Sequence, residues 1–354
     1  MNATITKLTK GFLTAALIGG LSAFALAQEA GKPKPMASPT PWPASPPMPG
    51  RGATPPPPQR TMGTGTYERS IAVTPDVKLL FPCVSEGTMR VNGWDRNEVR
   101  VFIKNGSKFN FDVRDSRDGK AGLLDINGYD PKKPNATGVC IWGERVEVDV
   151  PEGTTLDLKG KIVRANVDSI KHAHVKVVDG FIAVRNLTKG AMIEAGSGNI
   201  QVDDSQGPLS LHSTGGNIIA YDVKPAELGD LFHAKTYSGN ITLESLAHRQ
   251  VDVSSISGTI VYAGEVRSGG SYTMTTQNGS IRTTLSPTVS CTLNIVYAFG
   301  NFHSEFQLKS LPEEVNTGPI KKGNFSIGKG GPLLKLTTTN GNIYIKKAPA
   351  ATAP

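Results

Sequence analysis

The sequence predicts an all-β fold, a single-stranded parallel β-helix (β-solenoid) with right-handed winding and an irregular β cap at its N-terminal end. A glycine-centred turn recurs along the last two thirds of the chain, and it is clearest as Ser-Gly-Asn-Ile at 197–200 and 238–241. Apolar residues keep one register relative to each turn. Repeats of this kind are typical of stacked strand-and-turn coils, and right-handed winding is the general rule for parallel crossovers.

The turn glycines mark the predicted coils. Successive copies lie 18 to 23 residues apart until a final gap of 41, which we expect to hold two coils with Gly323 at the intermediate corner. Each corner bends the chain sharply, and glycine tolerates the positive φ that such a bend favours. The predicted structural turn glycines are Gly180, Gly198, Gly216, Gly239, Gly258, Gly279, Gly300 and Gly341.

The register of the apolar residues defines the predicted core. Side chains seven and five residues before each glycine, and two and four after it, should point inward if the strands alternate. Around Gly239 these residues are Phe232, Ala234, Ile241 and Leu243, and the positions between them are mostly polar. One offset predicts a buried column made of Ile200, Ile218, Ile241, Ile260 and Ile281.

Asparagine follows the turn glycine in five copies, as at Asn199 and Asn217. Stacked at one corner of successive coils, these side chains could form an amide ladder along the axis. Alternatively, asparagine merely suits the turn. Both interpretations stay open from the sequence, and neither is catalytic.

The first 65 residues are predicted to lie outside the fold. Lys7 and Lys10 precede an apolar run and a small-x-small motif, which predicts a signal peptide over 1–27 and therefore export. The apolar run is shorter than a membrane span, and no later segment is expected to cross a bilayer. Twelve prolines predict a Pro-rich disordered linker over 28–65. A stalk and an unstructured tail left by cleavage both fit this composition.

The net charge argues against a nucleic-acid partner. The formal charge of the chain is +8, of which the predicted signal peptide carries +2 and the linker +3. The folded part is left with about +3, whereas nucleic-acid binding requires clustered Lys and Arg on one face. We therefore expect no nucleic-acid partner.

Residues 66–155 are predicted to form the N-terminal β cap and the first strands, because a solenoid needs a cover for its open core. A turn at 92–97 separates two alternating segments and reads as a hairpin or a coil corner. Residues 115–138 read as a surface excursion. The β-helix repeats are predicted over 156–346, followed by a disordered tail over 347–354.

Four motifs carry a resemblance to a known family. They are the segment Val91–Val99 with its Asn-Gly-Trp-Asp turn, Val148-Asp149-Val150-Pro151, the Ser-Gly-Asn-Ile turns, and the segment from Ile327 to Ile343. In these motifs the chain resembles the bacterial putative-adhesin family of β-helix domains over residues 66–346. The resemblance implies the fold and attachment to a surface. It implies no active site.

The chain has three cysteines. Export permits a disulfide, and because Cys83 and Cys140 both fall in the cap segment, we favour this pair; two separately buried thiols are the alternative. Cys291 is in phase with Leu293 and Ile295, so it should face the core as a small apolar residue.

The sequence predicts no catalytic residue, metal site or cofactor. His172 and His174 point to the same side of one strand, a geometry that could hold a metal, but Ala173 takes the inward position and both histidines should face solvent. Asp203 and Asp204 are adjacent, so alternation sends them to opposite faces. When the repeats are aligned on their turn glycines, no equivalent positions of neighbouring coils form an acidic cluster of the kind used by polysaccharide enzymes.

These observations favour an exported, non-enzymatic β-solenoid, a putative adhesin that presents a repetitive polar β-face to a glycan, a cell-wall polymer or a surface protein. Two other classes stay open: a polysaccharide-active enzyme on the same fold, and a self-assembling envelope structural protein that joins through open strand edges. Three carboxylates on one face would favour the enzyme. A flat Ser/Thr/Asn/Lys face would favour binding.

Overall fold

A computed structural model describes residues 65–117, 119–132, 138–311 and 318–349. The predicted signal peptide (1–27), the linker up to residue 64 and the tail beyond residue 349 lie outside these residues. Every regular element in the described part is a β-strand. Accordingly, that part contains no helix of the length and apolarity needed to traverse a membrane.

Five strands precede the regular coils. The first, at Gly65–Trp94, pairs antiparallel with the second over its first residues and parallel with the fourth and fifth further on. The turn at 95–97 does not join a hairpin, because the residues of β1 just before it pair with the fifth strand, whereas only the first residues of β1 pair with the second. The five are β1 (Gly65–Trp94), β2 (Glu98–Gly106), β3 (Phe109–Arg117), β4 (Lys120–Gly128) and β5 (Ile141–Pro151).

The predicted surface excursion at 115–138 is wrong over its middle part. β3 and β4 form an antiparallel hairpin whose Leu124 and Ile126 are fully buried. Asp125, one of the acidic residues that suggested exposure, is buried too and pairs with Arg114. Burial raises the pKa of this carboxyl group. The alternation of apolar residues in β4 outweighs its local acidic and glycine content.

From β6 onwards the strands of neighbouring coils pair in parallel, with glycine opposite glycine, as for Gly180 and Gly198. In β6, β7 and β8 one strand runs through the corner, which is Val163 in β6 and a glycine in the other two, whereas later coils have one strand on each side of it. These strands are β6 (Thr155–Asp168), β7 (His172–Arg185), β8 (Ala191–Asp203), β9 (Leu209–Gly215), β10 (Ile218–Tyr221), β11 (Leu231–Ser238), β12 (Ile241–Leu246), β13 (Gln250–Ser257), β14 (Ile260–Gly264), β15 (Ser271–Asn278) and β16 (Ile281–Leu285).

The predicted core register is confirmed. Around Gly239 all four inward positions are buried, and the outward Thr242 between two of them is only partly covered. The predicted isoleucine column exists, because its members pair coil to coil and have no exposed surface: Ile200, Ile218, Ile241, Ile260 and Ile281. Column stacking of this kind removes large apolar side chains from water in every coil.

Close backbone stacking explains the turn glycines better than φ alone. A Cβ at Gly239 would overlap the carbonyl oxygen of Gly216, and one at Gly258 would overlap that of Gly239. The same overlap with the neighbouring coil occurs at all eight turn glycines. A positive φ is found at some of them, such as Gly180 at 141°. No side chain fits between the coils at this corner.

A second corner lies six residues after the glycine, or after Val163 in the coil of β6, and was not predicted. Its residues have left-handed φ values of 45° to 55°, a conformation that Asn and Asp adopt more readily than apolar residues. Asp204 is one of them, so it leaves the strand that Asp203 ends, and the predicted strand alternation does not extend to it. The corner residues are Ser169, Asn186, Asp204, Asp222 and Ser245.

The C-terminal coils do not stack in chain order. Strand β15 pairs with the segment that ends in Gly341, and that segment pairs in turn with the strand leading to Gly300. The last coil of the chain is therefore inserted between two earlier ones. The strands involved are β17 (Cys291–Phe299), β18 (Phe302–Ser304), β19 (Lys309–Ser310), β20 (Lys321–Ile327), β21 (Leu333–Asn340) and β22 (Ile343–Lys347).

This order overturns the interpretation of the 41-residue gap as two coils. Gly323 is not a corner; it lies in β20, opposite Ile295, and β20 runs antiparallel to β17. Because β17 has β21 on one edge and β20 on the other, its outer backbone groups are paired rather than open. The prediction that the repeats of 156–346 form one continuous parallel solenoid is therefore wrong at this end.

Candidate functional site

Histidines concentrate on one surface, formed by the outward side chains of the strands before the glycine corner. The chain has six histidines, and four of them lie here on β7, β9 and β11: His172, His174, His212 and His233. The prediction that His172 and His174 face outward is confirmed, since both are partly exposed while Ala173 between them is buried. His212 and His233 were missed because only the coil register aligns them with the first pair.

Three of these histidines line one groove of about 610 Å³. It crosses the beginnings of five neighbouring strands, β6, β7, β8, β9 and β11, and β1 borders it. We call it the histidine groove; its lining residues are Lys78, Thr155, Leu156, Asp157, His172, His174, Ala191, Met192, Pro208, Leu209, Ser210, Leu231 and His233.

The Nδ1 atom of each groove histidine faces an oxygen of the protein. His172 Nδ1 lies 3.1 Å from the carbonyl oxygen of Lys189. His174 Nδ1 is 3.6 Å from Asp157 Oδ2, and His233 Nδ1 is 3.4 Å from Asp252 Oδ2. An oxygen at Nδ1 favours the tautomer with its proton there, which leaves Nε2 as the free nitrogen.

The groove combines these imidazoles with exposed apolar surface. Met192 is 44% exposed and Leu231 is 43% exposed, and both line the groove. The loop before Leu231 is held in place, because Asp230 accepts two backbone hydrogen bonds and Lys189 Nζ lies 3.2 Å from Glu227 Oε1. Polar groups and apolar surface are thus presented side by side on a supported framework.

Charged groups on the same surface neutralise one another rather than converge. Glu194 accepts a hydrogen bond of 2.5 Å from Lys176, which lowers the pKa of the glutamate. Burial lowers the pKa of His212, and the ammonium group of Lys235 lowers it further. Across residues 65–349, as far as they are described, no three His, Cys, Asp or Glu side chains lie close enough to hold a metal ion.

The asparagines after the turn glycines form a ladder, although not between side-chain amides. Asn199 Oδ1 accepts the backbone N–H of Asn217 at 2.8 Å, and Asn217 Oδ1 accepts that of Asn240 at the same distance. The backbone N–H of Thr259 likewise donates to Asn240 Oδ1, and the backbone N–H of Asn301 donates to Asn342 Oδ1. The ladder therefore satisfies corner N–H groups and has a structural role.

A second ladder lies inside the core and was missed from the sequence. Thr236 Oγ1 donates to the carbonyl oxygen of Gly216 at 3.0 Å. In the sequence, this ladder is marked by a serine or threonine three residues before the turn glycine. Equivalent buried hydroxyl groups donate to the neighbouring glycine carbonyl at Ser213, Ser255, Thr276 and Thr338.

The three cysteines occupy two kinds of position. The sulfur atoms of Cys83 and Cys140 are joined, and their Cα atoms lie 4.4 Å apart. Cys291 is a buried free thiol, as its register predicted, and burial raises its pKa to about 11. It is inert at neutral pH, because the thiolate is the reactive form.

Parallel coils with in-register glycine corners, a buried isoleucine column and a polar outer face define a solenoid-like all-β domain. A model of the family described as Toastrack DUF4097 matches residues 85–346. The chain belongs to this family, whose domain has no assigned function, and the family resemblance is confirmed.

Solved structures similar to the chain share little sequence with it. One is described as a putative adhesin from Bacteroides fragilis NCTC 9343, with 14% identity, 79% of this chain and 97% of that chain covered, and a TM-score of 0.37. A putative adhesin from Parabacteroides distasonis ATCC 8503 has 11% identity, coverage of 80% and 98%, and a TM-score of 0.35. A putative cell adhesion protein from Clostridium sporogenes ATCC 15579 has 11% identity, coverage of 80% and 100%, and a TM-score of 0.24. No curated protein matches the chain.

Proposed function

We propose that the protein is an exported, non-enzymatic adhesin that presents a repetitive polar β-face to a glycan, a cell-wall polymer or a surface protein. One observation carries this proposal. Outward side chains repeat in register from coil to coil, while the carboxylates of this face that could act in catalysis each contact a basic side chain instead of converging on one point. Asp157, Glu194 and Asp252 each have a basic partner on the same surface. Repeated weak contacts along the axis would add up to avidity.

Further parts of the proposal rest on the sequence. The signal peptide would direct export, and the Pro-rich linker would set the reach of the domain. A Cys83–Cys140 bond fits an oxidising compartment and would tie the N-terminal β cap together. Right-handed winding is proposed from the crossover rule.

The test is a glycan and peptidoglycan array probed with the mature protein, together with attachment assays on cells. Deleting the solenoid should abolish attachment of cells to a surface, whereas deleting the linker should weaken attachment and leave the affinity of the purified domain unchanged. Turnover of a polysaccharide, lost on a single Asp or Glu substitution, would replace this proposal with the enzyme alternative. Unchanged attachment without the solenoid would also overturn it.

Self-assembly is a second candidate, favoured by one feature. Within the described residues, strand β18 pairs on one edge only, with β22. Such an edge is a template for another strand. The backbone N–H of Glu305 bonds to β22, so by strand alternation the N–H of Ser304 faces the open edge. Concentration-dependent oligomers in solution, abolished by replacing Ser304 with proline, would support assembly through β18; a monomer at all concentrations would exclude it.

A further inference from the structure

We infer that the histidine groove is a binding subsite for a neutral linear glycan that lies along the coil axis. This inference rests on the proposed function and gives it a location and a ligand class. The groove is a candidate because four of its features point to the same chemistry: its length, its hydrogen-bonding groups, its apolar surface and its charge.

The length of the groove suits an extended polymer. His174 and His233 occupy the same row, separated by Met192 and Ser210 on the two strands between them. Three steps between neighbouring strands span about 14 Å at the usual spacing of about 4.8 Å. A ligand that contacts both imidazoles must therefore be elongated and run across the strands, parallel to the axis.

The polar groups of the groove mostly accept hydrogen bonds. In the neutral form, the free Nε2 atoms of His172, His174 and His233 are acceptors, because their Nδ1 atoms face protein oxygens. The carboxylate of Asp157 is a further acceptor at the same site. Such a set requires a ligand rich in hydroxyl donors. Within the described residues no partner occupies these Nε2 atoms.

The apolar surface and the charge narrow the ligand class. Met192 and Leu231 expose enough hydrocarbon to contact the C–H faces of sugar rings. Among the described residues, Lys78 is the one ammonium group that lines the groove and Asp157 is its one carboxylate, so the charge of the lining is balanced. A strongly acidic polymer would be repelled by the carboxylate of Asp157, and the groove has no excess of cations to offset that repulsion. A neutral glycan can instead form hydrogen bonds with both Lys78 and Asp157.

The experiment compares tetrasaccharides by isothermal titration calorimetry on the mature protein. The probes are a neutral β-linked glucose tetrasaccharide, a neutral mannose tetrasaccharide and a galacturonate tetrasaccharide. At least one neutral probe should bind, and the uronate should bind more weakly. The double substitution His174→Ala and His233→Ala should weaken neutral binding at least tenfold, as expected for losing two hydrogen bonds of about 1 kcal/mol each.

Two controls separate binding from folding. Gln201→Ala changes an outward side chain after the glycine corner, away from the groove, and should leave the affinity unchanged. Met192→Glu places a second carboxylate between the two histidines, and it should abolish neutral binding while the thermal melt stays cooperative. Circular dichroism melts of all variants identify any loss that comes from unfolding.

Three outcomes would overturn the inference. They are tighter binding of the uronate than of both neutral probes, an affinity that the double substitution does not change, and no binding of any probe. In each case the proposed adhesin function is judged separately, by attachment of cells that carry the Met192→Glu variant. Normal attachment of those cells would show that the adhesive surface lies elsewhere on the solenoid.

Discussion

The central coils and the C-terminal coils carry the same chemistry but obey different stacking rules. Both have a corner glycine, an inward apolar column and an asparagine after the corner. In the centre, each coil packs on its neighbours in the chain. At the C-terminal end, the coil of Gly341 packs between those of Gly279 and Gly300.

The difference teaches that coil identity and coil order are encoded separately. In-register glycine and apolar positions make any two coils compatible, so they leave the order open. At the C-terminal end the outer edge of the stack is covered, because β20 folds back antiparallel on β17.

The first prediction tests the order of the coils directly. Thr273 of β15 is paired with Lys335 of β21, whereas Asn294 of β17 lies one coil further away. Cysteines introduced at 273 and 335 should form a disulfide on oxidation, because neighbouring strands are about 4.8 Å apart. Cysteines at 273 and 294 should not, at about twice that distance. Peptide mapping by mass spectrometry reads the outcome, and the opposite pattern would restore chain-order stacking.

The largest loss of stability is expected at a central turn glycine. In Gly239→Ala the new Cβ overlaps the backbone of Gly216, so two coils must separate and the free energy of unfolding should fall by more than about 4 kcal/mol. Gly215→Ala is the matched control, because open space surrounds that position. Urea melts of both variants measure the difference, and equal midpoints would contradict the close-stacking explanation.

The isoleucine column should be the next most sensitive feature. Ile241→Ala leaves a cavity among buried side chains and should cost about 2–5 kcal/mol. The neighbouring outward change Thr242→Ala should stay within about 0.5 kcal/mol. Phe302, at the Ile241 offset in the terminal coil, is only partly buried, so Phe302→Ala should fall between the two. Chemical denaturation ranks all three, and a larger effect at Phe302 would reverse the comparison.

The buried hydroxyl ladder should contribute less. Thr236→Val keeps the shape of the side chain but leaves the carbonyl oxygen of Gly216 without its donor, which should cost about 1–3 kcal/mol. Thr242→Val removes an outward hydroxyl group and serves as the control. Urea titration of both variants measures the difference. If both unfold at the same urea concentration, the ladder has no energetic role and the stability of the repeat depends on apolar packing alone.

The smallest effect concerns acid. His248 is fully buried beside Phe232, its Nε2 donates to the carbonyl oxygen of Gly207 at 2.9 Å, and burial lowers its pKa. A lowered pKa means that this contribution to stability is complete above about pH 6.5 and is lost as the pH falls through the folded-state pKa. His248→Gln should flatten the slope of stability between pH 7 and pH 5, each pH measured by urea titration. His303→Gln, an exposed change, should retain the slope.

Strand periodicity explains how much could be predicted from the sequence. The inward register of Phe232 or Ile241 depends only on counting from a glycine, and it is confirmed. The second corner at Asn186 depends on a single left-handed residue, and its Ser, Asn or Asp is common in turns of every kind, so it does not mark a coil corner by itself. The place of the last coil depends on pairing between distant segments, which local patterns do not contain.

The candidate site was less predictable for the same reason. His172 and His174 are two residues apart and could be recognised together, whereas His233 joins them only through three strand pairings. Gaps of 18 and 23 residues between the corners hide that alignment. Both His174 and His233 lie six residues before a turn glycine, and this shared outward offset is the sequence signal that places them in one row.

The inserted coil has a mechanical consequence. A solenoid whose last strands lie at the end of the stack can unravel under tension one coil at a time, each step breaking a single interface. Here β21 and β22 are each held on both edges, by β15 and β17 and by β16 and β18. Force applied to the C-terminal end must extract a coil from between two others, so both interfaces bear the load together and the chain resists peeling from that end.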